Sequence, residues 1–197
     1  MRLTDGCQPR AVVLVEGHSD RVALETLAER RNRNLDAERI AVVSIGGAQA
    51  LGRYLRELAP RGVRLTGLYD AGEEPDVRRA FERAGLGTDL TRDDLETLGF
   101  FVCVEDLEDE LIRAAGTEGV LAIIETQGEL KAFRTLQKQP AQRAWSIERQ
   151  LHRFIGTKAG RKARYARLLV EAIEPARVPR PLTEVLARAA AAPTESP

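Results

Sequence analysis

No stretch of this chain approaches the roughly 20 consecutive apolar residues that a membrane-spanning helix requires. Nor does a basic segment followed by an apolar core open it, so the sequence reads as having neither a secretory leader nor a membrane partner. Cysteine is scarce: Cys7 and Cys103 have neither the number for a disulfide framework nor the spacing of a metal cluster. Cys103 lies in the apolar run 100–104 and reads as a buried free thiol, which fits a reducing, cytoplasmic setting. Aromatic residues make up 5% of the chain, so Trp145 and Tyr165 are expected in the core rather than stacked on bases. Internal repeats and long linkers are also missing. What is present is 43% hydrophobic and 30% charged residues over 197 positions, enough for one domain, or one with a helical appendage.

A net charge of zero hides a segregation of sign. Residues 1–125 carry 16 Arg and no Lys against 24 acids, a net of −8. Residues 126–197 carry 14 Lys and Arg against 6 acids, a net of +8. Between Lys131 and Arg167 eleven cations face one acid, Glu148. Genomic base composition explains the choice of Arg over Lys, but not this segregation. An acidic half joined to a basic half suggests a metal pocket beside a polyanion-binding surface. Arg149, Arg153, Lys158, Arg161 and Arg164 are the candidate nucleic-acid contacts, and the competing reading is a merely solvated cationic face.

Residues 11–20, Ala-Val-Val-Leu-Val-Glu-Gly-His-Ser-Asp, are the most informative stretch. Five apolar residues end at Glu16, Gly17 turns the chain, and Asp20 follows. A second apolar run, residues 63–69, stops at Asp70. Side chains just past the carboxyl ends of neighbouring parallel strands converge on one crevice. Carboxylates gathered there suit a hard divalent cation, Mg²⁺ or Mn²⁺. The competing reading is a plain helix start, with Ser19 or Asp20 capping free N–H groups.

The first 110 residues alternate strand-like and helix-like patterns, the signature of βαβ units. Strands are expected at 11–15, 40–45, 63–69 and 100–104. Helices are expected at 19–31, 48–59 and 75–84, with a capped helical turn from Thr91. After residue 106 the pattern is helical throughout, at 107–115, 118–125, 129–137, 146–155, 161–173 and 182–192. The expected fold class is α/β, a parallel sheet of about four strands flanked by helices, with a C-terminal helical extension. Residues 1–125 form the α/β domain, 126–192 a basic helical extension packed on it, and 193–197 a disordered tail.

Val-Glu-Gly-His-Ser-Asp at one strand end and Leu-Tyr-Asp at the other resemble the Toprim domain. This Rossmann-like unit is shared by topoisomerases, bacterial primases, the recombination mediator RecR and the overcoming-lysogenization-defect (OLD) nucleases. The likeness covers roughly residues 11–173 and is strongest to the OLD branch. In that branch a Glu-Gly-x-(Ser/Asp)-Asp motif opens the domain, a Leu-Glu follows the fourth strand, and a lysine sits in a late helix. Here these fall on Glu16-Gly17 with Ser19-Asp20, on Leu107-Glu108, and on Lys162 within Gly160-Arg161-Lys162.

The resemblance implies a metal-dependent nuclease acting on DNA, with RNA as an alternative substrate. Two divalent ions about 4 Å apart would serve such chemistry. It implies that Glu16 and Asp70 hold one ion, that Asp20 and Glu108 hold a second, and that Lys162 stabilises charge on the scissile phosphate. Glu16 and Lys162 are then the catalytic candidates. Of the run Glu105, Asp106, Glu108, Asp109 and Glu110, only Glu108 is expected in the site, the rest being a solvated helix start. His18 and His152 are expected to be incidental.

Two departures stand out. The Toprim Asp-x-Asp reads Asp70-Ala71-Gly72 here, followed by Glu73 and Glu74. Glu73, or alternatively Glu74, would have to reach into the vacated place. OLD proteins also carry an ATPase domain, but no Gly-x-x-x-x-Gly-Lys-Ser/Thr phosphate loop is present. The chain is thus expected to be a free-standing domain or to borrow a separate ATPase protein. The other readings are a non-catalytic binding module like RecR, an RNA-processing Toprim enzyme, and a nucleotidyl transferase.

Overall fold

The architecture comes from a computed structural model, which describes residues 8–158 and 160–191. Cys7, the expected tail at 193–197 and the last residue of the expected helix 182–192 lie outside the described residues. Four parallel strands form one sheet: β1 (Ala11–Val15), β2 (Ile40–Ser44), β3 (Arg64–Asp70) and β4 (Phe100–Cys103), in the order β2-β1-β3-β4. Every residue of β1 is buried, as a central strand covered on both faces demands, and this is why it reads as an unbroken apolar run. Gly67 in β3 is the close-approach point. A Cβ there would stand 2.6 Å from the Leu14 carbonyl and 2.8 Å from the Phe100 ring.

One face of the sheet is covered by α2 (Leu51–Leu58), α3 (Glu74–Arg83) and α4 (Arg92–Thr97). Leu51, Leu55, Val77, Phe81 and Leu95 pack there against Val12, Leu14 and Phe100. The other face carries α1 (His18–Arg30) and α9 (Arg180–Ala190). Leu182, Val185, Leu186 and Ala189 of α9 join the same core as Val13, Val15, Leu24 and Leu27. The last helix therefore lies on the sheet, against β1, β3 and β4, although its sequence follows a long helical stretch.

Between them run α5 (Leu107–Thr126), α6 (Leu130–Gln137), α7 (Ile147–Gly156) and α8 (Arg161–Ala172). Gly116, at φ 73° and ψ 157°, breaks the helical path of α5 near its middle, where two helices were expected. α5 packs on both α7 and α8, and α8 packs along α1. Phe133, Phe154 and Tyr165 form the buried aromatic contact of this layer, with edge-on rings at 5.3 and 6.4 Å. Among the described residues no helix is long and apolar enough to cross a membrane.

Candidate metal centre

The strand order places β2 on one side of β1 and β3 on the other, so the crevice beyond the carboxyl ends of β1 and β3 is the topological switch point. Glu16 leaves β1 into it, half-buried. Gly17 then turns the chain into α1, and its N–H donates to Asp20 Oδ2 at 2.7 Å, which fixes the Asp20 carboxylate at the helix start. Asp70, the last residue of β3, pairs in register with Cys103 at the end of β4. Beyond β4, Asp106 caps α5 by accepting from the Asp109 N–H at 2.8 Å, and Glu108 follows in the first turn, 4% exposed. Lys162 near the start of α8 donates to Glu108 Oε2 at 3.2 Å.

The electrostatics join these groups into one site. Burial pushes Asp70 up to about 8, helped by the charges of Glu16, Asp106, Asp20 and Glu73. Burial likewise raises Asp20 to about 6 against the Gly17 hydrogen bond, with Glu108 and Glu16 adding to the rise and Lys162 opposing it. Glu73 is raised by burial and then by the charge of Glu16. Glu16 is thus the neighbour common to Asp20, Asp70 and Glu73. Burial works against the Lys162 charge, but Glu108, Asp106 and Asp20 outweigh it and raise the lysine's pKa. Carboxylates that raise one another in a shared crevice form a donor set that a cation would relieve. Glu108 Oε1 makes the same point: it is buried without a hydrogen-bond partner, a costly state for a carboxylate oxygen in a protein interior.

The overcoming lysogenization defect protein-like TOPRIM domain model matches residues 9–71, which include Glu16, Asp20 and Asp70. Over 92% of this chain, the fold superposes on the C-terminal region of the Xanthomonas campestris pv. campestris OLD protein, covering 94% of it, at 27% identity and a TM-score of 0.65. The C-terminal region of the Burkholderia pseudomallei OLD protein matches in fold over 92% of this chain and 97% of its own, at 23% identity and a TM-score of 0.65. No curated protein matches the chain. Residues 9–71 are thus similar to the OLD-type Toprim domain, and the fold as a whole is similar to the C-terminal regions of OLD proteins.

Two residues that the sequence reading set aside also stand at this candidate site. Asp106 stands in the crevice, and its charge helps raise Asp70. His152, brought in by α7, places Nε2 2.6 Å from Asp106 Oδ2. Burial would raise Asp106, yet the His152 hydrogen bond, the Asp109 N–H and the Lys162 charge hold it below the usual carboxylate range. His152 is raised in turn, by that hydrogen bond first. Ligand atoms of Asp106, Glu108 and His152 lie within 4.8 Å of one another. An acid at the helix-cap position after a strand was the available signal for Asp106. His152 had none.

The neighbours of the missing aspartate sort themselves. Glu73 turns to Glu16 and accepts weakly from the Ala48 N–H at 3.5 Å. Glu74 is bound by Arg78 and Arg92 and does not serve the vacated place. Position 72 is exposed, and a Cβ there would meet nothing within 4 Å. Asp109 and Glu110 belong to the helix start and both pair with Arg113, but Glu110 is buried rather than solvated and also accepts from the Val104 N–H.

The basic residues divide as well. Arg149, Arg153 and Lys158 are exposed, and Arg149 lies over the Trp145 ring at 3.9 Å. Arg161 corrects the sequence reading. Its guanidinium is buried, donating to the Phe154 carbonyl and Thr157 and pairing with Glu129 at 2.9 Å, so it packs the helices and is not a surface contact. Arg164 shares Glu129 at 2.5 Å and is half-exposed. Tyr165 is buried and donates to Glu129, as a core aromatic does.

Proposed function

We propose that this Toprim domain is a divalent-metal-dependent hydrolase of DNA phosphodiester bonds, in the manner of OLD nucleases. One observation carries the reading: Glu16, Asp20, Asp70, Glu73, Asp106 and Glu108 crowd one crevice with Lys162, and Glu108 keeps a buried oxygen unpartnered. The donor set is oxygen-rich and fits Mg²⁺ or Mn²⁺. Bound there, such ions supply an activated water and neutralise charge at the phosphate. Glu16 and Asp70 hold one position, and Asp20 with Glu108 and Asp106 holds the other. Glu73 steadies Glu16. Lys162 leans on Glu108 while its side chain stays 49% exposed, so its ammonium can meet an incoming phosphate oxygen. The exposed cations of α7 and the segment after it, Arg149, Arg153 and Lys158, take the flanking backbone. RNA is the alternative substrate, and a separate ATPase protein is a candidate partner.

Plasmid DNA with purified protein and Mn²⁺ or Mg²⁺ tests this directly. Nicking is expected without ATP, abolished by a chelator and reduced at least about 100-fold by Glu16→Gln. Lys162→Ala should lower turnover far more than DNA affinity, as loss of a transition-state contact does. Position 72 favours a second reading, a module that binds nucleic acid or protein without cleaving, because it offers no donor. The open space at Gly72 lets Gly72→Asp be made without a clash. Activity that appears only in that variant would establish the second reading.

A further inference from the structure

His152 lies outside the carboxylate pattern of the crevice, yet its imidazole faces the crevice's least satisfied corner. Asp106 Oδ1 is fixed by the Asp109 N–H, which leaves Oδ2 turned to His152 Nε2 at 2.6 Å. A Glu108 oxygen joins these two atoms within 4.8 Å, and Glu108 Oε1 is buried with no partner. Two donors on one ion, each bound at about 2.1 Å and at right angles, stand about 3 Å apart. A small opening of the His152–Asp106 contact therefore suffices to admit a cation. His152 and Asp106 are half-buried, so solvent reaches this corner.

We propose that His152 is a metal ligand, completing with Asp106 and Glu108 a site of two carboxylates and one imidazole that selects Mn²⁺ or another first-row transition ion over Mg²⁺. The inference rests on reading the crevice as a divalent-cation site. Gly72 leaves the cradle one carboxylate short, and the donor that α7 supplies is a nitrogen. Imidazole binds transition ions well, whereas Mg²⁺ prefers oxygen and keeps its waters.

The chain has two histidines, His18 and His152, so nitrogen ligation can be read directly. Protein grown with ¹⁵N-imidazole histidine and loaded with Mn²⁺ should show a ¹⁵N coupling by pulsed electron paramagnetic resonance. The coupling should persist in His18→Ala and vanish in His152→Ala. Calorimetry should show Mn²⁺ affinity falling about tenfold or more in His152→Ala, with Mg²⁺ affinity little changed. Mn²⁺ bound in the wild type without a histidine coupling, or with one lost in His18→Ala alone, would overturn the role of His152 and leave the metal site standing. No Mn²⁺ binding at all would overturn both. If His152→Ala fails to fold, the coupling in labelled His18→Ala still decides.

Discussion

Glu129 and Glu108 are both poorly exposed glutamates in the same helical layer, each near cations of α8, yet the protein treats them in opposite ways. Glu129 receives Arg161 at 2.9 Å, Arg164 at 2.5 Å and the Tyr165 hydroxyl at 2.8 Å. Burial would raise its pKa, but these donors together hold it below the usual carboxylate range. Glu108 has one half-exposed lysine on Oε2 and nothing on Oε1. Asp20, which feels its charge, and Asp70 elsewhere in the crevice are pushed up, where Glu129 is held down. A carboxylate that serves the fold is satisfied by the fold, and one left short is a candidate for a ligand.

The sharpest way to break the comparison is to remove each acid in turn. Glu129→Ala leaves Arg161 buried and without its carboxylate, and it should cost about 3 kcal/mol in urea unfolding. Glu108→Gln removes a buried charge that was incompletely paired. It should leave the metal-free stability within about 1 kcal/mol of wild type while abolishing the stabilisation that Mn²⁺ gives. Equal losses in both variants would mean that Glu108 is a structural acid like Glu129.

How much of this could be read beforehand depends on what each residue type announces. The strands were legible because a strand buried on both faces must be an apolar run, and Ala11–Val15 is one. Glu16 and Asp70 were legible because a charge ending such a run has no structural reason to be there. Glu108 and Lys162 came from short motifs shared with the OLD branch. Asp106 was hidden among five acids within six residues, where capping and ligation use the same side chain. His152 was invisible because only the packing of α7 on α5 brings it to Asp106, 46 positions away. Arg161 failed for the converse reason: a cation in a basic run does not declare that Glu129 will draw it inside.

A pH series sharpens the same contrast with a smaller effect. An acid whose pKa rises on folding keeps its proton in the fold after the unfolded chain has lost it near pH 4. Stability therefore falls as pH rises above about 4, continues to fall through about 6 for Asp20 and about 8 for Asp70, and then levels. His152 adds to the fall in the neutral range, because its folded pKa is raised and its contribution is lost as it deprotonates. The melting temperature in a chelator should thus be several degrees lower at pH 8 than at pH 5. Asp70→Asn should flatten the decline, and saturating Mn²⁺ should offset it, since the ionised carboxylates are the ones that bind metal. A flat wild-type profile would mean that the crevice is well solvated and its charges do not compete.

The smallest effect concerns the basic surface, where the same distinction between satisfied and unsatisfied charge applies to cations. Arg161 is consumed by Glu129, whereas Arg149 is propped on Trp145 with its guanidinium exposed, and Arg153 is exposed one turn further along α7. Only cations not already neutralised can release counterions from a phosphate backbone. Each such contact adds about 0.9 to the slope of log affinity against log salt on duplex DNA. On the proposed reading, in which Arg149 and Arg153 would contact phosphates and not the metal, Arg149→Glu with Arg153→Glu should flatten the slope by about 2, equally for unrelated sequences and equally in a chelator. Arg164→Glu should flatten it less, since Glu129 already holds that side chain. If the double variant left the slope unchanged, the segregated positive charge would be a solvated face, and the DNA path across the crevice would have to run elsewhere.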